Sequence, residues 1–319
     1  LLFLLLFSLT RGVAAQDEEP NVSSSVEYTF GEELRFLFNA ENAADIERIR
    51  LSFRPELVTD LYVVDVPFER GETISVTYPV DVGLIDLKPY SQLKYSWEIE
   101  TGNGVKRVGE QSFRYDDDQF AWQQMSREAV TVHWTGNGPA FGQDVLVVVE
   151  EALSNLSAVL PLERIIPFDV YVYSSSAELR EGLEGAGLDG SETTHPELGA
   201  IFVTAVNPQS AVADLGQSVP FELAHLLIYQ IAGENYSLFP WWLGQGVGTV
   251  FQARVNPSYD QILDEAVQRE TTIPLWQLCE APQATGNEEN LARAQSASIV
   301  AYVRLRFGDQ RLAELVQSY

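Results

Sequence analysis

From about residue 25 to residue 115, apolar and polar side chains alternate in short runs separated by turn residues. Residues 34–38, 49–53, 61–68, 73–80 and 93–100 each put an apolar or aromatic side chain at every second position, the period of a half-buried strand. The pair Asn103-Gly104 then predicts a tight turn into a further strand over residues 105–115. No stretch between these runs has helical periodicity.

Beyond residue 120 the pattern changes. Residues 130–134, 168–173 and 200–205 read as strands, and Gly136 to Gly138 as a turn. A helix is predicted from Gly142, with Val149, Leu153, Leu156 and Leu160 on one face, and a shorter capped helix over 176–182. From Val219 helices dominate to the end, punctuated by Pro240, Pro257 and Pro274. The expected fold class is multi-domain. An N-terminal all-β immunoglobulin-like sandwich over residues 25–115 is followed by an α+β domain over residues 120–319, with Asp116 to Asp118 as a polar joint. A length of 319 residues suits two domains of ordinary size.

The first fifteen residues are an apolar run that ends in small residues, with Val13 and Ala15 placed as a signal-peptidase site prefers. Residues 1–15 therefore read as an N-terminally truncated signal peptide, residues 16–24 as a linker, and the protein as secreted or exposed at the cell surface. That run is shorter than the ~20 residues that cross a bilayer, and no later segment is apolar enough to span. Charge narrows the partners further. Lys plus Arg number 20 against 46 Asp plus Glu, a formal charge of −26. Such a surface repels phosphate backbones, so nucleic acid is excluded as a partner. The single cysteine, Cys279, excludes an intrachain disulfide framework and any multi-cysteine metal site, and with no basic partner nearby in sequence it reads as a small buried side chain.

Candidate chemistry is concentrated in two segments. One helix carries Phe221, Glu222 and His225; the other carries Trp241, Trp242, Leu243, Gly244, Gln245 and Gly246. Together they resemble the bacterial peptidase MA-like family of gluzincin-type zinc metallopeptidases over residues 120–319. In that family one helix bears H-E-x-x-H and a second bears W-L-x-E-G, whose Glu is the third zinc ligand. Two histidines at i and i+4 share a helix face and grip one ion, while the Glu between them activates the metal-bound water. The resemblance puts Glu222 at the general base and His225 at the second histidine. It puts Phe221 at the first histidine and Gln245 at the third ligand. Gly244 and Thr249 fall where relatives often carry acidic residues. Neither His133, read as structural in its strand, nor His195, read as a solvated loop residue, stands where it would replace a ligand.

Phenylalanine has no lone pair, and an amide oxygen is a poor substitute for a carboxylate on zinc. The resemblance thus implies a pseudopeptidase without a cofactor, with Glu222 a vestigial general base and Phe221, His225 and Gln245 vestigial ligand positions. Its partner would be a peptide or protein held in the ancestral cleft along the strand containing Ala200, Phe202 and Thr204, with Trp241 beside it. The alternative is an active zinc-dependent endopeptidase or aminopeptidase with a non-standard site; a third reading is a structural or adhesive surface protein. Restoring Phe221→His with Gln245→Glu is expected to create zinc binding.

Overall fold

The computed structural model describes residues 19–56, 59–85, 87–190, 194–207, 209–283 and 286–319. The proposed signal peptide and the first residues after it lie outside these. The chain divides into two compact units, one formed by residues up to 87 with 92–113, the other by residues 88–91 with 114–319.

The first unit is built from strands: β1 (Asn21–Thr29), β2 (Glu33–Glu41), β3 (Ile46–Pro55), β4 (Tyr62–Asp65), β5 (Thr73–Asp81), β6 (Ser91–Thr101) and β7 (Gly104–Tyr115). They form two sheets, ordered β1-β2-β5 and β4-β3-β6-β7. Alternation decides which side is dry. On β2, Leu34, Phe36, Phe38 and Ala40 are buried, as are Leu93, Tyr95, Trp97 and Ile99 on β6. The two apolar faces meet through aromatic rings, with Phe36 5.1 Å from Phe53 and Phe38 4.9 Å from Trp97. Rings of this size each remove ~150–250 Å² from water, so this layer supplies most of the unit's cohesion. Two expectations need correction. Strand β1 begins at Asn21, inside the stretch read as linker, and pairs with β2 along its whole length; its serines conceal the alternation. The run at 61–68 contracts to β4, an edge strand that pairs with β3 over residues 62–65 alone, with Leu61 just before it and Val63 within it facing solvent.

In the second unit, β8 (Gln123–Arg127), β9 (Val130–Trp134), β10 (Phe168–Tyr173) and β11 (Ala200–Thr204) form a sheet ordered β11-β10-β9-β8. Strands β9, β10 and β11 run parallel, and polar β8, absent from the sequence reading, pairs antiparallel with β9. The β9–β10 crossover is α1 (Pro139–Ser157); the β10–β11 crossover includes α2 (Ser176–Gly185). Helix α1 starts at Pro139 rather than Gly142, since proline's fixed φ and missing N–H suit the first helical position. Val132, Val170, Val172, Ile201 and Val203 point to one face of the sheet, within a core shared with α1 and with α3 (Ala211–Ala232). Tyr171, Tyr173 and Phe202 point to the other face.

That second face revises the expected polar joint. Arg114 Nη2 lies 2.8 Å from Asp169 Oδ2, and Tyr171 donates to Asp116 at 2.6 Å. His133 Nε2 sits 2.7 Å from Asp169, its ring stacked on Tyr171. Asp117 is fully buried. The acidic run is thus partly an internal ionic network. Burial raises the Asp116 pKa, and Arg114 pulls it back only in part.

The remaining helices are α4 (Trp241–Val250), α5 (Ser258–Gln268), α6 (Asn287–Phe307) and α7 (Asp309–Gln317). Cys279 is exposed, not buried; in the 3₁₀ turn Gln277–Cys279 it is the adjacent Leu278 that points inward. Among the described residues no helix is long and apolar enough to cross a membrane.

Candidate functional site

The site lies where α3, α4 and α6 meet, and a proline organises it. Pro220 sits inside α3 without an N–H, which leaves the Gly216 carbonyl without its helical donor. That carbonyl accepts instead from the Ala253 N–H at 2.9 Å, and Gln252 Nε2 donates to the Gln217 carbonyl at 3.1 Å. The chain leaving α4 is thereby tied to α3 one turn before Phe221.

Glycines let α4 come close. A Cβ at Gly248 would stand 2.8 Å from the Phe221 ring, and one at Gly246 2.5 Å from the Ser296 carbonyl of α6. Gly244, read as a lost acidic position, leaves room for the His225 ring, whose Cε1 is 3.0 Å from where its Cβ would be. Helix α4 is therefore wedged between α3 and α6, with Gln245 pointing into the seam. Glu222, His225 and Gln245 are all buried.

Arg293 on α6 gives the polar contacts their direction. A guanidinium only donates, so Nη1, 2.7 Å from Gln245 Oε1, fixes that oxygen as acceptor and turns the amide NH₂ toward His225. Gln245 Nε2 lies 3.4 Å from His225 Nε2, which must then offer its lone pair. The imidazole proton is left on Nδ1, facing the Tyr236 hydroxyl at 3.2 Å. Burial, and secondarily the Arg293 charge, lowers the His225 pKa to about 4, so the ring is neutral at physiological pH. Burial likewise raises the Tyr236 pKa. Arg293 is in turn held by Glu289, with Nη2 2.8 Å and Nε 3.0 Å from one carboxylate oxygen.

Phe221 and His225 stand side by side, ring centroids 5.0 Å apart, as the i, i+4 spacing requires. Glu222 turns the other way and accepts from the Thr194 hydroxyl at 2.7 Å. With Phe202, Thr204, Ser218 and Arg180 it lines a cleft of about 370 Å³ beside β11. The Ala205 N–H donates to Tyr173 O and the Asp169 N–H to Gly199 O, so odd-numbered residues face β10. Alternation turns the peptide groups of Ala200, Phe202 and Thr204 to the outer edge. Ala200 and Phe202 are buried as whole residues, main chain included, whereas Thr204 at the end of the strand is partly exposed.

Two sequence readings change, and one residue escapes the sequence. Trp241 is no open platform; it is partly buried against the core, while Trp242 is buried as expected. His195, read as solvated, is buried, with Nδ1 3.3 Å from Glu197. Burial is the largest influence and opposes the Glu197 charge, but that hydrogen bond, a backbone hydrogen bond and the charges of His195 and Lys88 together outweigh it and lower the pKa. Arg293 was missed altogether: four residues after Glu289 it reads as an ordinary surface ion pair, and its partner Gln245 lies 48 positions away. Among the described residues no group of three or more His, Cys, Asp or Glu is arranged to hold a metal.

Comparison with known proteins gives one family and several remote structural likenesses. No curated protein matches the chain. Solved structures similar to part of it include the Br derivative of BhCBM56, with 12% identity and a TM-score of 0.23, spanning 29% of this chain and 90% of that one. Another is a carbohydrate-binding module family 56 β-1,3-glucan-binding domain, with 9% identity, a TM-score of 0.21 and coverage of 30% and 99%. A third is the family 64 laminaripentaose-producing β-1,3-glucanase of Paenibacillus barengoltzii complexed with laminarihexaose, with 10% identity, a TM-score of 0.22 and coverage of 37% and 27%. Scores this low support no conclusion about fold or ligand. The Peptidase MA superfamily, by contrast, matches residues 148–319, a span that takes in most of α1 and every residue of the α3–α4–α6 seam. Since that match covers more than half of the sequence, the chain belongs to the Peptidase MA superfamily.

Proposed function

We propose that this protein is a pseudopeptidase that captures an extended peptide, or a segment of a partner protein, along β11 without cleaving it. The observation that carries this reading is the state of the His225 Nε2 lone pair. A catalytic zinc would need that lone pair, two further ligands and an open position for water. Here the lone pair faces the Gln245 amide, the Gln245 oxygen is taken by a cation, and Phe221 offers no donor. This donor set does not fit a catalytic zinc. Glu222 is then a carboxylate beside a cleft rather than a base acting on metal-bound water.

Peptide capture needs none of those groups. Of the three residues whose peptide groups turn to the outer edge of β11, Ala200 and Phe202 are buried whole and Thr204 is partly exposed, so capture begins at Thr204 through its backbone hydrogen bonds, and the adjoining cleft accepts side chains. The N-terminal unit fits an immunoglobulin-like sandwich, supported by its two facing sheets of three and four strands. Residues 1–15 support export, and with it a peptide or protein partner outside the cytoplasm.

One experiment tests both halves. The purified protein is dialysed against zinc, assayed for bound metal, and offered an immobilised peptide library with and without chelator. Peptides are retained, uncut, at equal levels in both arms. Thr204→Pro, which removes one outward N–H at a position where an edge strand tolerates proline, lowers retention about tenfold. Stoichiometric zinc with chelator-sensitive cleavage would replace this reading with that of an active metallopeptidase.

A further inference from the structure

We infer that Arg293 is a resident cation that has taken the metal's place in the α3–α4–α6 seam and now excludes divalent ions from it. The inference deepens the pseudopeptidase reading and rests on it. It concerns a residue that the ligand motif does not contain.

A single side chain bears on all three ligand positions. The Arg293 guanidinium donates to Gln245 at 2.7 Å and lies 5.8 Å from the centroid of the Phe221 ring. Through the Gln245 amide it also fixes which His225 nitrogen carries the proton. Its fork joins α6 to α4, the elements that Gly246 brings into backbone contact with Ser296. Glu289 supplies the countercharge from the same helix, so the pairing is local and complete.

A metal arriving here would meet a guanidinium already bonded to Gln245, and that position could not be recruited as a ligand without displacing it. Restoring the two missing ligands therefore does not restore a site. In Gln245→Glu the new carboxylate stands beside the guanidinium and closes a charge-assisted pair with Arg293 instead of turning to a metal. Arg293 is a positioning residue: it acts by orienting Gln245 and, through it, His225.

Zinc chloride is titrated against a competing chromophoric chelator for wild type, Phe221→His/Gln245→Glu, and that double variant with Arg293→Met. The triple variant binds zinc at least about 100-fold more tightly than the double variant, since removing a unit charge next to a dication is worth that much in a partly dry site. Equal affinities for the double and triple variants would overturn the role given to Arg293 while leaving the pseudopeptidase reading intact. Stoichiometric zinc in the wild type would overturn that reading and this inference together. Should the triple variant fail to show a cooperative thermal transition, ¹⁵N resonances of His225 in wild type and in Arg293→Gln decide the matter. The wild type shows the Nδ1–H tautomer and Arg293→Gln a mixture of the two. An unchanged tautomer would overturn the inference.

Discussion

At the scale of single residues, His225 is where burial becomes measurable. Its pKa falls from 6.5 to about 4 on folding, so between those values the unfolded chain binds a proton that the native protein refuses. Stability from this group is complete above pH 6.5 and is lost as pH falls toward 4. Between pH 8 and pH 5 the loss is about 2 kcal/mol. Urea unfolding of wild type and His225→Gln at both pH values isolates it: the stability difference between the two proteins shifts by that amount in favour of the variant at pH 5. Phe221, Glu222, His225 and Gln245 could be singled out from sequence through their resemblance to a family motif carried on two helices. Arg293 could not, because its meaning comes from a contact across 48 positions. The inward-facing residue of the 3₁₀ turn, Leu278 rather than Cys279, escaped for a similar reason: three residues carry too little periodicity to choose a face.

At the scale of elements, close helix packing sets the geometry of the seam. Gly248→Ala would press a methyl group against the Phe221 ring, at 2.8 Å before relaxation. The expected cost is about 1–3 kcal/mol, as for other overpacked contacts. Phe221→Leu in the same chain should return much of it, so a double-mutant cycle by chemical denaturation gives a coupling energy of opposite sign to the single loss. Additive losses would mean that the helices separate elsewhere. The strands with strict alternation, such as β2 and β6, were legible because one face of each is dry. Strands β1 and β8 were hidden by serine, glutamine and arginine at sheet edges, where pairing, not burial, holds the backbone extended. The Pro220 gap in α3 illustrates another limit. The sequence shows the proline but not the Ala253 N–H that fills the gap, since that partner arrives from the turn that leaves α4.

At the scale of the whole molecule, charge governs how copies meet. With 46 acidic against 20 basic side chains, two molecules repel at neutral pH well before their sheets could touch. The strand addition proposed for β11 would admit a second copy of this chain as readily as any other extended chain, which is the hazard every sheet edge carries. Repulsion is the guard against that homotypic zippering, and it vanishes near the isoelectric point of about 4.3. Light scattering should therefore report reversible self-association on approach to pH 4.5, and Thr204→Pro should delay it. An acidic coat would then keep siblings apart at neutral pH and let them approach only as it discharges.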